Sequence, residues 1–223
     1  MATLDAGEDM GEAPRKPRAN EVIRTILSSL TRLAGGALAI ALALFGGISS
    51  SRYVIDHGWP LTTESHGPWQ HWSRQGRADS DPYSRAHLAK SGALRIAADS
   101  AGIYEARTDS EGARLHSSCD YVLEGPDMEG LWWSLTVFDD SGQLIANDAA
   151  RYAFTRDTAA ISPDGSFIVT LGRDARPGNW LPTSGAGRIV LVLTILDPAT
   201  GLSEDARAER AKLLPTIRRD ACS

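Results

Sequence analysis

From Leu33 to Ser51 the chain reads LAGGALAIALALFGGISSS, without one charged side chain, and arginines stand on either side at positions 32 and 52. Such a run restricts where the polypeptide can be. Extended backwards through Ile26, Leu27 and Leu30, it predicts a helix from about Ile26 to Ile48. Roughly 20 apolar residues rising about 1.5 Å each cover a hydrocarbon layer of about 30 Å. Arg32 falls inside that window, where its aliphatic stem lets the guanidinium reach the headgroups. Arg15, Lys16, Arg18 and Arg24 precede the run and favour an N-terminus on the cytoplasmic side. The expectation is a single-pass membrane anchor over residues 21–51. A short charged, disordered tail (1–20) lies in the cytoplasm and the remainder is exported. A cleaved export signal is the alternative, permitted by Gly46, Gly47, Ser49 and Ser50; the long basic leader argues for an uncleaved anchor.

The exported part has a different texture. Residues 52–80 hold Trp59, Trp69 and Trp72 among His57, His66 and His71, punctuated by Gly58, Pro60, Gly67, Pro68 and Gly76. That composition predicts a juxtamembrane linker without long regular elements, its tryptophans at headgroup level. Three histidines in a polar linker need no metal, and no metal or cofactor is expected. Asp81-Pro82 is a helix start, with Asp as N-cap and Pro in the first turn, and predicts a helix to about Ala98.

Beyond Gly102 the apolar period drops to two. Strands are expected at Ile103–Thr108, Cys119–Glu124, Leu131–Phe138, Tyr152–Thr155, Ser166–Gly172 and Arg188–Leu196. Gln143–Ala146 is the expected hairpin partner of Leu131–Phe138, across the turn Asp139-Asp140-Ser141-Gly142. Parity puts Trp133, Leu135 and Val137 on the core side of their strand. The run RIVLVLTIL, the most apolar, belongs near a sheet centre. Ser203–Leu214 reads as a terminal amphipathic helix ended by Pro215. Short strands with regular turns predict a mainly β fold: an antiparallel β-sandwich or jelly-roll-like domain over residues 81–223, with the transmembrane helix, one helix before the sheet and a C-terminal helix.

The chain has 223 residues, a formal charge of −5 and two cysteines, Cys119 and Cys222. The charge disfavours a nucleic-acid partner, which calls for a basic stripe. Two thiols in an exported domain point to one disulfide, with two unrelated thiols as the alternative.

Several separated motifs then agree in order: Cys119-x-Tyr121, Trp132–Thr136 followed by Asp139, Gly142, Leu144, Asn147 and Arg151-Tyr152, then Asp164-Gly165-Ser166, and Pro177 with Asn179–Pro182. Upstream, Gly67-Pro68-Trp69 and Asp81-Pro82-Tyr83 fit as well. The set resembles the short, membrane-anchored members of a bacterial envelope family, domain of unknown function 1214, over about Gly67–Cys222. Arg188 departs from it, standing where many members carry an aromatic residue. The resemblance implies a two-sheet β fold and a separately encoded companion carrying domain of unknown function 1254. It supplies no established catalytic residues.

The candidate ligand-binding residues are Trp132, Asn147, Arg151, Asp164, Asn179 and Trp180. Tryptophans offer stacking faces for a glycan or lipid, and Arg with Asn offers polar contacts, Arg to an anion bidentately. The simpler expectation for the same residues is structural: Asn and Asp set turns, Trp180 plugs the sandwich end, and Arg151 pairs with Asp139 or Asp164. No nucleophile elbow, phosphate loop or metal-ligand spacing occurs. Two functions follow, a binding or assembly module of the cell envelope and, as the alternative, an envelope hydrolase or transferase acting on glycan or lipid. The first is preferred.

Overall fold

The computed structural model describes residues 19–91, 96, 100–126, 128, 132–196, 209 and 211–222. It divides into two compact units, residues 1–50 and 51–223. In the first unit lies most of helix α1, Ala19–His57, whose segment Ile26–His57 is long and apolar enough to cross a membrane. The large side chains of the run, Leu38, Ile40, Leu42 and Phe45 among them, are all exposed. A helix apolar around its circumference and buried against nothing is suited to lipid rather than water.

The second unit is mainly β, as expected. A six-stranded antiparallel sheet has the order β1-β2-β3-β9-β5-β6, and a four-stranded sheet has the order β10-β4-β7-β8. The strands are β1 Thr63–His66, β2 Trp69–Trp72, β3 Ala101–Ala106, β4 Cys119–Gly125, β5 Trp132–Asp139, β6 Ala153–Thr155, β7 Phe167–Gly172, β8 Asn179–Pro182, β9 Ile189–Leu196 and β10 Thr216–Cys222. One hydrophobic core joins them: Trp133, Leu135, Leu191 and Ile195 of the larger sheet meet Leu123, Val169 and Leu171 of the smaller. Trp133 stacks on Phe167 between the sheets, ring centroids 4.3 Å apart. The parity of β5 is as its alternation requires, with Trp133, Leu135 and Val137 inward. Strand β9 lies between β3 and β5, the interior position its apolar sequence demands.

Turn chemistry explains the hairpins. In Asp109–Ala113 and again in Asp139–Gln143, the Asp carboxylate accepts the N–H groups two and four residues on. The glycine before the closing residue takes a positive φ, 87° at Gly112 and 81° at Gly142, which spares it the Cβ clash another residue would meet.

Four features differ from expectation. The segment read as a linker contains a β-hairpin, β1–β2, joined to the large sheet by Trp69↔Ala106 and its neighbours. Trp69 and Trp72 are therefore buried: Trp69 Nε1 donates to the Pro215 carbonyl at 2.7 Å, and Trp72 stacks on His87 at 4.2 Å. Only Trp59 keeps an exposed position. Second, Gln143–Ala146 makes a single bridge to β5, Phe138↔Leu144, and the ladder passes to β6, because the chain turns aside at Asn147. Third, the smaller sheet is not purely antiparallel. β8 runs parallel to β7, its return made by the short connection 173–178 with Gly178 at φ 82°. Fourth, the residues after Pro215 form an unexpected strand, β10, against β4.

Helix α2 spans Pro82–Ser91, and the remainder of the expected helix lies almost wholly outside the described residues. The same holds for most of Ser203–Leu214 and for the N-terminal tail. Asp81 caps α2 as anticipated, its Oδ1 accepting the N–H groups of Tyr83 (2.9 Å) and Ser84 (3.0 Å). Cys119 and Cys222 are disulfide-bonded, at facing positions of β4 and β10.

Candidate functional site

Three of the six candidate residues come together beside β6. Asn147 closes a loop on itself: its Nδ2 donates to the carbonyls of Ile145 (2.9 Å) and Arg151 (3.0 Å), and its Oδ1 accepts the Arg151 N–H (3.0 Å). The loop forces Ala150 into the left-handed region at φ 47°, which an L-residue enters at a cost. The result is a fixed exit for Arg151. Its guanidinium carbon lies 5.6 Å from the Phe154 ring centroid and 5.9 Å from that of Trp180, and Nη1 donates to the Trp180 carbonyl at 3.3 Å. Trp180 is itself pinned by Nε1 to the Gly172 carbonyl at 3.1 Å.

This is a half-buried cation seated on two aromatic faces and held by one carbonyl. Such a group has its remaining in-plane N–H donors for an anionic or polar ligand. Trp180 is 9% exposed and has Arg151 over its ring, so its face is occupied by the cation.

The other three candidates lie elsewhere. Asn179, next to Trp180, turns its amide to the chain: Oδ1 accepts the Ala160 N–H at 2.7 Å, and Nδ2 donates to the carbonyls of Ala160 and Ile168. It fastens the loop after β6 to β7. Asp164 accepts the N–H (3.1 Å) and hydroxyl (2.7 Å) of Ser166 in an exposed turn. Those hydrogen bonds, the hydroxyl's first, hold its carboxyl below the ordinary carboxylate range. Asp139 is held low in the same way, by the Ser141 hydroxyl and then the Gln143 N–H. Neither aspartate is the ion-pair partner expected for Arg151.

Trp132 is 38% exposed and donates from Nε1 to Asp157 at 3.1 Å. Arg151 adjoins Tyr152, whose carbonyl accepts from Val137. Trp132 lies five residues along β5 from Val137, about 17 Å at the rise of a strand, so one small ligand does not span both. The sequence reading missed Phe154, although Arg151 and Phe154 stand three apart around Tyr152, and it missed the strained Ala150. His57, His66 and His71 have separate partners, Tyr53, Glu64 and Tyr104, and no group of three or more metal-ligating side chains occurs among the described residues.

Two sheets around one core, a disulfide closing an edge strand and a cation–aromatic cluster at one loop define a β-domain of the two-sheet class. Residues 100–200 match a family described as protein of unknown function (DUF1214). No curated protein matches the sequence. Among solved structures, the chain is similar to the VPA0106 protein from Vibrio parahaemolyticus, with 18% identity and a TM-score of 0.55, covering 81% of this chain and 44% of that one. It is also similar to an uncharacterised protein from Burkholderia cenocepacia, with 16% identity and a TM-score of 0.41, covering 78% and 41%. The Vibrio protein shares the fold. The chain spans less than half the length of either protein.

Proposed function

We propose that this protein is a membrane-tethered β-domain of the bacterial cell envelope, a binding and assembly module that works with a separately encoded companion protein. Its N-terminus lies in the cytoplasm, α1 spans the inner membrane, and the β-domain faces the periplasm. The observation that carries the reading is the pairing of an apolar span with a disulfide on the same chain. Disulfides persist in oxidising compartments, and the span, led by basic residues, accounts for delivery to one. A companion is supported by the Vibrio protein, where the shared fold occupies 44% of a longer chain.

The Arg151 cluster is the proposed contact point for an anionic group on the companion, or on a glycan or lipid. Asn147, Asp164 and Asn179 commit their side chains to backbone groups, which supports binding over catalysis. The test is affinity purification of the tagged full chain from native membranes in mild detergent. A second anchored protein recovered in stoichiometric amount supports the assembly reading, and its loss in Arg151→Ala locates the contact. Recovery of the chain alone, from membranes where it is abundant, overturns it.

A further inference from the structure

The turn that follows α1 presents apolar side chains that a water-facing loop does not need. Trp59 is 52% and Leu61 85% exposed, with Pro60 exposed between them. The turn is nevertheless rigid. Trp59 O accepts the N–H groups of Thr62 (2.7 Å) and Thr63 (2.9 Å), and the Thr62 hydroxyl accepts the Trp59 N–H at 3.0 Å. Its entry requires glycine: Gly58 has φ 76°, and a Cβ there would sit 2.4 Å from Thr63 Cγ2. Fixed backbone with satisfied polar groups and outward Trp-Pro-Leu is the chemistry of an interfacial contact, where an amphipathic ring sits among headgroups and an aliphatic chain reaches past them.

We infer that Trp59–Leu61 is a second membrane contact of this protein, inserted into the headgroup layer of the phospholipid leaflet from which α1 emerges. The inference rests on the reading of α1 as a membrane anchor. Position in the chain selects this occupant over others. The uncharged run ends at Ser51, α1 ends at His57, and Trp59 follows two residues later. Five helical residues past Arg52 rise about 7–8 Å, and the headgroup layer adds about 5–8 Å on each side of the hydrocarbon, so the turn starts at that layer's outer edge. Exposed Arg52 and 58%-exposed Tyr53 stand on the same stretch. A cation and an aromatic ring in this position complement anionic headgroups and the interface. A span alone leaves rotation about its axis free; a second contact removes that freedom and orients the domain.

The experiment uses the full chain in vesicles of phosphatidylcholine and phosphatidylglycerol, with or without lipids brominated near the headgroup end of the acyl chain. Flotation of the vesicles reports the anchor independently. Trp59 emission is read as the difference between the wild type and Trp59→Phe, which isolates it from the other five tryptophans of the six in the chain. The expected result is a difference emission quenched by bromolipid and shielded from iodide, with the bromolipid quenching lost or strongly reduced in Leu61→Ser. Both positions are exposed, so neither substitution disturbs the core. A chain that floats with the vesicles but whose Trp59 is quenched by iodide and not by bromolipid overturns the contact and leaves the anchor standing. Shielding from both quenchers means a second copy covers the turn, and also overturns it. A chain that does not float removes the anchor reading and the contact together.

Discussion

Asn147 is a loop residue with three hydrogen bonds to the backbone of Ile145 and Arg151, and it sets where Arg151 leaves the chain. Asn147→Ala abandons two carbonyls and an N–H in a part-buried loop, and the expected loss is about 1–3 kcal/mol in denaturant unfolding. The same variant releases the guanidinium from Phe154 and Trp180, so partner recovery falls with stability, whereas Arg151→Ala lowers recovery with a smaller loss of stability. Three residues on, Ala150 holds φ 47° without the freedom of glycine. Ala150→Val adds a β-branch to that conformation and costs about 1–2 kcal/mol. Ala150→Gly stays within about 0.5 kcal/mol of wild type, since relieved strain offsets the added freedom of the unfolded chain. Equal unfolding midpoints for the two variants would remove the argument from strain. Neither Ala150 nor Phe154 announces its role in a one-dimensional reading. A positive φ at alanine is imposed by the hydrogen bonds around it.

At the scale of elements, strand β10 shows what a long-range tether adds. Cys222 pairs with Cys119 across a separation of 103 residues, and Arg219 reaches the buried carboxylate of Asp109 at 2.7 Å. The Ser110 N–H donates to the Ile217 carbonyl, and the Ser110 hydroxyl accepts the Ile217 N–H. Replacing both cysteines by serine lowers stability by up to about 4–5 kcal/mol in the chain-entropy account. The remaining contacts keep β10 docked below the new midpoint. Alkylation of the native exported protein labels neither thiol until a reductant is added; labelling without reductant contradicts the bridge. Helix α2 offers a local counterpart. Asp81→Ala removes the acceptor for two N–H groups and costs about 1 kcal/mol, whereas Asp81→Asn restores most of it. The two elements differ in legibility for a physical reason. An N-cap is written within four residues, so Asp81-Pro82 could be read directly. The pairing of β10 with β4 depends on residues a hundred positions away.

Over the whole molecule, the carboxylates that close turns make stability respond to acid. Asp139 and Asp164 are held below their ordinary value of 3.8 by hydrogen bonds, the serine hydroxyl's first. At Asp81 burial raises the pKa, and the Ser84 and Tyr83 hydrogen bonds together outweigh it. A depressed folded-state value means that the unfolded chain binds protons first as pH falls. Their contribution is complete above the ordinary carboxylate range and is lost as pH drops below it. The urea midpoint therefore falls as pH drops from about 5 to about 2, and Asp139→Asn diminishes that fall. An unchanged pH profile in the variant would remove Asp139 from the account. The sequence by itself determined whatever is encoded over a few neighbouring residues. The uncharged run, the inward parity of Trp133, Leu135 and Val137, the Asp-x-x-Gly turns and the cap of α2 all belong here, because periodicity and turn chemistry act locally. Tertiary structure alone decided the hairpin Thr63–Trp72, the parallel seat of β8, the strand after Pro215 and the meeting of Arg151 with Trp180. Trp69 shows why. Among Gly, Pro and His it reads as a loop residue until a distant strand edge takes its backbone and the Pro215 carbonyl, 146 residues away, accepts its indole N–H.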